Sequence, residues 1–239
     1  MRKALSLLNL LFTTIFLCII ALIISPFDGR GNLIHRIARF WASTHIRLGG
    51  IEVVTSGLDK ITAPPYIFMC NHQSALDIYG LLYSLPLSFR WIAKRQLFLI
   101  PLFGWALKRA GHISIDRENP REALKAMDEA ARKIRDGMNI IIFPEGTRSR
   151  DGSLLPFKKG GFSLALRAMV PIVPVGIVGT SALQPKGSFI PARKGVIYIH
   201  IGDPMPLEGM NRSAKGEVMN SVRTSIERLM QKGGSGSDR

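Results

Sequence analysis

The chain has 239 residues, 46% of them hydrophobic, which is ample for a packed core and excludes wholesale disorder. Its 32 Lys and Arg outweigh 17 Asp and Glu, a net charge of +15, so its partners are anionic: nucleic acid, anionic lipid or phosphorylated metabolites. The two cysteines, Cys18 and Cys70, sit in apolar runs and read as small buried hydrophobes; no CxxC or Cys/His cluster suggests zinc.

Residues 4–24 form a run of 21 without charge, preceded by Arg2 and Lys3. As a helix it rises roughly 31 Å, enough to cross a bilayer. Asn9, Thr13 and Thr14 dilute it without forbidding insertion. A secretory signal is the competing reading, but its apolar region is usually about 7–15 residues and ends in a small-x-small site. Here the run is longer and ends in a turn, Ser25-Pro26-Phe27-Asp28-Gly29, so a retained membrane segment is expected.

Residues 33–48 follow as an amphipathic helix. Ile34, Ile37, Phe40, Trp41 and Leu48 share one broad face, and Arg36, Arg39 and Arg47 fall largely on another. The pattern suits a helix lying in the membrane interface, and equally one packed on a soluble core. A domain boundary is drawn near residue 50, giving an N-terminal membrane unit at 1–50, a catalytic unit at 51–232 and a flexible tail at 233–239.

Beyond residue 51, short apolar runs alternate with helical segments. Strands are expected at 66–70, 90–93, 112–115, 139–143, 172–178 and 196–201. Helices are expected at 74–84, at 161–168, at 213–231 and from Asn119-Pro120 to about 135, with Asn119 as N-cap. The stretch 96–110 is apolar and broken by Pro101. The alternation predicts an α/β fold, a mostly parallel sheet flanked by helices, with an N-terminal membrane-associated helical segment.

In open α/β sheets ligands gather at the carboxyl ends of the strands. Three polar clusters lie there: Asn71-His72-Gln73-Ser74-Ala75-Leu76-Asp77, Gly111 through Arg117, and Phe143-Pro144-Glu145-Gly146-Thr147-Arg148-Ser149-Arg150. His72 and Asp77 are about 140° apart on a continuous helix and cannot meet across it. They meet if His72 lies in the preceding turn and Asp77 in the first helical turn, with Ser74 as N-cap. A carboxylate then fixes one tautomer and frees the other ring nitrogen to accept a proton. The plain alternative is a capping box, Ser74-x-x-Asp77, beside an incidental histidine.

No G-x-S-x-G elbow, P-loop or dinucleotide glycine fingerprint is present. A basic His72 would therefore activate a substrate hydroxyl, and direct transfer needs an activated donor such as a thioester. Arg117 and Arg148 are fitted to phosphate by their bidentate forks. Glu145 suits a substrate hydroxyl or an arginine, and Gly146 allows close backbone approach. A solvated surface turn is the ordinary alternative for this last cluster.

His72 through Asp77, Ile115-Asp116-Arg117, residues 143–149 and Val170-Pro171-Ile172-Val173-Pro174-Val175 resemble the four ordered motifs of the glycerolipid acyltransferases. The closest type is the 1-acyl-sn-glycerol-3-phosphate (lysophosphatidate) acyltransferase family. The resemblance spans roughly residues 65–180. It implies acyl transfer from acyl-CoA or acyl-carrier protein to lysophosphatidate, giving phosphatidate, with no cofactor beyond that co-substrate and no metal. It implies His72 as general base and Asp77 as its orienting partner. Arg117, Glu145, Gly146, Thr147 and Arg148 would bind the acceptor's phosphate, and Pro171 would support the acyl-donor side. His112 falls outside the matched box and reads as structural; Lys94, Lys158 and Lys159 are added on charge alone.

Membrane lipids are then expected partners and nucleic acid is not, and the location expected is the cytoplasmic face of a bacterial inner membrane. Three other readings stay open: another acceptor (glycerol 3-phosphate, another lysophospholipid or an amino-acid lipid), a metal-dependent hydrolase using His72, Asp77, His112 and Asp116, or a non-catalytic binder of anionic lipid.

Overall fold

A computed structural model describes residues 2–115 and 120–234. Among the described residues seven strands form one sheet in the order β1-β7-β6-β2-β5-β3-β4. They are β1 Ile51–Ser56, β2 Ile67–Cys70, β3 Phe89–Lys94, β4 Ile113–Ile115, β5 Asn139–Ile142, β6 Ile172–Val178 and β7 Gly195–Ile201. From β6 across to β4 every pairing is parallel, while β7 runs antiparallel to β6 and carries β1 parallel to itself. The sheet is thus mostly parallel, as the alternation predicts, with a reversed pair at one edge.

The two central strands are buried at every position, Ile-Phe-Met-Cys in β2 and Asn-Ile-Ile-Ile in β5. Continuous apolar strands mark a sheet covered on both faces, and alternate residues sort accordingly. Phe68, Cys70 and Ile141 face one core, beneath α2 (Asn32–Gly49) and α3 (Leu76–Ser84). Ile67, Met69, Ile140 and Ile142 face the other, beneath α6 (Pro120–Arg135), α7 (Lys159–Ala168) and α9 (Lys215–Gln231). Phe68 is fully buried between these layers, and truncating such a side chain to Ala costs about 3–5 kcal/mol.

The apolar N-terminal run forms α1 (Arg2–Ile24). Its polar residues join it to α2: the Trp41 indole donates to Thr14 Oγ1 (3.0 Å) and the Asn9 amide to Thr44 Oγ1 (3.5 Å). The Asp28 carboxylate caps α2 by accepting from Asn32 N and Ile34 N, both at 2.8 Å. The boundary at residue 50 does not isolate α2, because Ala42 and Ile46 belong to the sheet's core. Its predicted apolar face is divided: Ile34 is buried, Phe40 is 58% exposed and Leu48 remains at the surface. His35 and His45 complete the buried stripe, a contribution that a hydrophobicity pattern omits.

Pro101 splits the apolar stretch into α4 (Arg95–Phe98) and α5 (Phe103–Arg109), and α5 packs against α1 through Ala106 and Ala110. Strand β1, the short helix α8 (Thr180–Leu183) and the 3-10 turn at Leu58–Lys60 are additions to the expected elements. Gly233 and Gly234, expected to open the tail, still belong to a closing 3-10 turn, Lys232–Gly234. The rest of that tail, together with Asp116, Arg117 and Asn119, lies outside the described residues.

Candidate active site

Parallel pairing brings the carboxyl ends of β2, β5 and β3 to one edge of the sheet. The chain leaves β2 at Cys70 and passes through His72 before α3 begins at Leu76. Asn71 locks this exit: its side chain donates to Ile177 O (2.8 Å) and accepts from Ile177 N (2.7 Å).

His72 and Asp77 meet through Nδ1 and Oδ2 at 2.8 Å, with the Asp77 side chain wholly buried and 15% of the His72 side chain exposed. The ring donates, since a carboxylate oxygen accepts. The same Oδ2 accepts from Gln73 N (2.7 Å) and Ser74 N (2.8 Å), while Ser74 Oγ accepts from Leu76 N (3.2 Å). The capping and histidine-orienting readings are therefore one structure: the carboxylate that closes the helix start also holds the ring. The N-cap position itself falls to Ala75, one residue beyond the expected Ser74.

The second turn is built around His72's backbone. Glu145 is 2% exposed; its Oε1 accepts from His72 N (2.6 Å) and its Oε2 from Leu155 N (2.8 Å). Four residues on, Ser149 N donates to His72 O (2.8 Å). Residues 145–149 thus arch over His72 with both feet on its peptide groups, and the crown of the arch is Thr147 and Arg148. Gly146, at φ +72°, makes the reversal that begins it. Burial pushes the Glu145 carboxyl up to about 7, against the opposing pull of its two amide donors.

An aromatic column carries the ring from below. Phe143 stacks on His72 at 3.9 Å between centroids, and Trp91 stacks on Phe143 at 5.6 Å. Flanking cations complete the mouth. Lys158, exposed at the start of α7, is set there by its amide on Pro144 O (2.7 Å), with Lys159 beside it and Lys94 at the end of β3.

The family model described as "Acyltransferase" matches residues 51–178, more than half of the chain, and covers both turns that hold His72. The chain belongs to the acyltransferase family. It is 34% identical over 223 residues to a chloroplastic 1-acyl-sn-glycerol-3-phosphate acyltransferase of Arabidopsis thaliana, covering 90% of this chain and 60% of that one. To the chloroplastic protein of that name from Brassica napus it is 38% identical, covering 72% of this chain and 50% of the relative. It therefore spans half to three fifths of the length of these plant relatives. The alpha form from Mus musculus is 33% identical, with 89% and 75% covered. The crystal structure of the 1-acyl-sn-glycerophosphate (LPA) acyltransferase PlsC from Thermotoga maritima superposes with a TM-score of 0.81 at 28% identity, covering 100% of both chains.

The structure places two of the expected residues away from the open mouth of the site. Glu145 is buried, and its two oxygens accept from the amides of His72 and Leu155. Pro171 stands at the opposite end of the sheet. Ile67 pairs with Ile172, so Pro171, whose carbonyl accepts from Ile67 N, lies level with the start of β2, whereas His72 follows its end at Cys70. His72, Asp77, Gly146, Thr147 and Arg148 are brought together; Arg117 falls outside the described residues. His112 is structural as expected: its Nδ1 accepts from Trp91 N (3.0 Å), and burial with Arg90 nearby pushes it down to about 3. Among the described residues no three His, Cys, Asp or Glu groups gather as metal ligands.

Four contributors escaped the sequence reading: Phe143 beneath the ring, Ser149 on the His72 carbonyl, Asn71 across to β6, and Gln73. The last donates to Gly152 O (2.8 Å) and accepts from Ser181 Oγ (3.3 Å), tying the arch to α8. Only the Phe143-Pro144 junction carried a signal, an aromatic held at a strand end.

Proposed function

We propose that this chain transfers an acyl group from acyl-CoA or acyl-carrier protein to the free hydroxyl of 1-acylglycerol 3-phosphate, giving phosphatidate. The observation that carries the reading is the His72–Asp77 pair set beneath the basic arch of residues 145–149. Relatives of that name, aligned along most of this chain, support it.

Asp77 keeps the His72 proton on Nδ1, so Nε2 is the nitrogen that takes the proton from the acceptor hydroxyl. The hydroxyl oxygen bonds to the thioester carbonyl carbon, and the tetrahedral adduct collapses with cleavage of the C–S bond. The imidazolium returns the proton to the departing thiolate, and Asp77 offsets its charge while it exists. No protein nucleophile enters. Ser74 Oγ is committed to Gln184 O (2.6 Å), and Cys70 is fully buried with its thiol pushed far up by burial. Thr147 and Arg148 hold the acceptor phosphate over the ring, with Arg117 as an expected companion.

Helix α1 is long and apolar enough to cross a membrane, and Phe12, Ile15 and Phe16 expose half or more of their surface. Near α5, Leu99 and Trp105 are 69% and 57% exposed. We assign these surfaces to lipid, with the acceptor's tail in the bilayer and the thioester arriving from water at the cytoplasmic face of a bacterial inner membrane.

The test is transfer of labelled acyl groups to lysophosphatidate by the purified chain, with each donor, with and without EDTA, beside His72→Ala. Phosphatidate formed by wild type, insensitive to EDTA and reduced about 10²–10⁴-fold in the variant, is the expected result. An inactive wild type with both donors refutes the substrate assignment, and a fully active His72→Ala refutes the mechanism.

A further inference from the structure

Residues 184–188 lie outside the segment matched by the family model, yet the fold delivers one of them to the crown of the arch. The ammonium of Lys186 donates to Arg148 O (2.7 Å) and to Thr147 Oγ1 (3.3 Å). Its position is constructed. Ser188 N donates to Pro185 O (3.0 Å), closing a tight turn whose third residue, Gly187, has φ +97°, a value that suits glycine. Gln184, fully buried, braces the turn by donating from Nε2 to Ser188 O (3.0 Å). Its carbonyl in turn accepts from Ser74 Oγ (2.6 Å), within the same segment that carries His72 and Asp77. The turn bearing Lys186 is therefore fastened directly to the catalytic segment.

We propose that Lys186 is a substrate-binding residue of this site, one that takes a phosphate monoester or diester oxygen beside Thr147 and Arg148. An ammonium has three donors, and two are engaged on the arch; the third is free for an anion. Thr147 Oγ1 accepts from Lys186, so its own hydrogen is available to donate. By holding the Arg148 carbonyl, Lys186 also steadies the backbone from which that guanidinium projects. The crown thus offers N–H and O–H donors from three side chains. Among the described residues neither Lys186 nor Arg148 has an acidic partner within ion-pair distance. A cluster of donors bearing two cations without an acidic partner, on the turn fastened to His72's backbone, is matched by an oxyanion rich in lone pairs. Two substrates carry that chemistry, the lysolipid acceptor and the coenzyme or prosthetic arm of the donor.

This inference rests on the acyl-transfer reading, and the experiment separates the two. Kinetics of the full chain are compared for wild type, Lys186→Gln and Lys186→Arg, varying lysophosphatidate and acyl-CoA in turn. Binding of lysophosphatidate and of coenzyme A is measured in the same detergent. Expected in Lys186→Gln is a rise of about tenfold or more in KM and Kd for one phosphate-bearing substrate, with kcat little changed and most of the loss recovered in Lys186→Arg. A rise confined to lysophosphatidate, and absent with 1-acylglycerol as acceptor, identifies the acceptor phosphate. A rise confined to acyl-CoA identifies the donor.

If kcat falls while both KM and both Kd values stay at wild type, Lys186 only fastens loops and the proposal is overturned. It is equally overturned if nothing changes. If wild type turns over neither acceptor but Lys186→Gln still weakens one of the binding constants, the function reading fails and this one survives.

Discussion

Two buried carboxylates serve the same histidine, and they do so from opposite sides of its covalent structure. Asp77, in the first turn of α3, gathers three donors on one oxygen: the His72 ring and the amides of Gln73 and Ser74. Glu145, in the turn after β5, spends one oxygen on the His72 amide and the other on Leu155. The first grips the ring and is in line with any proton the ring takes up. The second grips the main chain and is separated from the ring's chemistry by the whole side chain. Sequence alone sets Asp77 beside the ring and Glu145 among the residues facing the acceptor's phosphate. The difference lies in what their oxygens have left to give.

The largest effect expected from breaking this arrangement is at the ring. His72→Ala removes the base and is expected to cost about 10²–10⁴-fold in acyl transfer. Asp77 then separates orientation from charge. Because three donors converge on Oδ2, Asp77→Asn keeps an acceptor oxygen there, and the Nδ1–H tautomer survives with only the negative charge lost. A fall of about 10²-fold in kcat is expected. Asp77→Ala loses the tautomer lock as well and leaves two buried amides unsatisfied. It should approach His72→Ala in rate and unfold at lower denaturant. Equal rates for Asp77→Asn and wild type would mean that the carboxylate caps the helix and does nothing for the ring.

A smaller effect is expected at the main-chain grip. Glutamine offers one acceptor oxygen where Glu145 uses two, so Glu145→Gln strands either the His72 or the Leu155 amide. Stability should fall by about 1–3 kcal/mol, read as a lower urea midpoint at unchanged slope. Activity should fall about tenfold or less, because Asp77 and the Phe143 stack still orient the imidazole. A folded Glu145→Gln as inactive as His72→Ala would show that Glu145 meets the substrate, and the contrast between the two carboxylates would collapse.

What was legible follows from range. The parallel core announces itself in the continuous apolar runs of β2 and β5, and the His72–Asp77 pairing follows from a five-residue spacing across a helix start. Both depend on neighbours in sequence. The Glu145–His72 bond joins residues 73 apart, and Ser74 reaches Gln184 across 110. No periodicity reports such contacts, and charge pattern does not reveal them: the burial of Glu145 is invisible in a turn rich in polar residues. Pro171 shows the complementary gap. It lies in a matched motif, but only the register of β6 on β2 reveals which end of the sheet it occupies. Strand β1, a short alternating edge strand, lacked the apolar continuity that marked its partners.

The finest test of the contrast is the pH dependence of stability. Burial raises the folded Glu145 carboxyl from 4.5 to about 7, so between those values the folded state holds a proton that the unfolded state has released. Folding stability from this group is therefore present below about pH 4.5 and is lost as pH rises toward 7. His35 and His112 act in the opposite sense. Burial first, then Arg90, lowers them from 6.5 to about 4 and about 3, so they favour unfolding as pH falls below 6.5. The raw curve of wild type mixes these slopes, and the informative quantity is the difference between variants. Urea midpoints from pH 5 to 8 should show the gap between wild type and Glu145→Gln narrowing as pH rises, because only wild type loses stability through Glu145 ionisation. Asp77 also contributes to raising Glu145, so in Asp77→Asn that window should close at a lower pH. A constant gap across the range would mean that Glu145 is already ionised at pH 5, with its two amide donors outweighing burial. The main-chain grip would then be a charged one, as strong in kind as that of Asp77 on the ring.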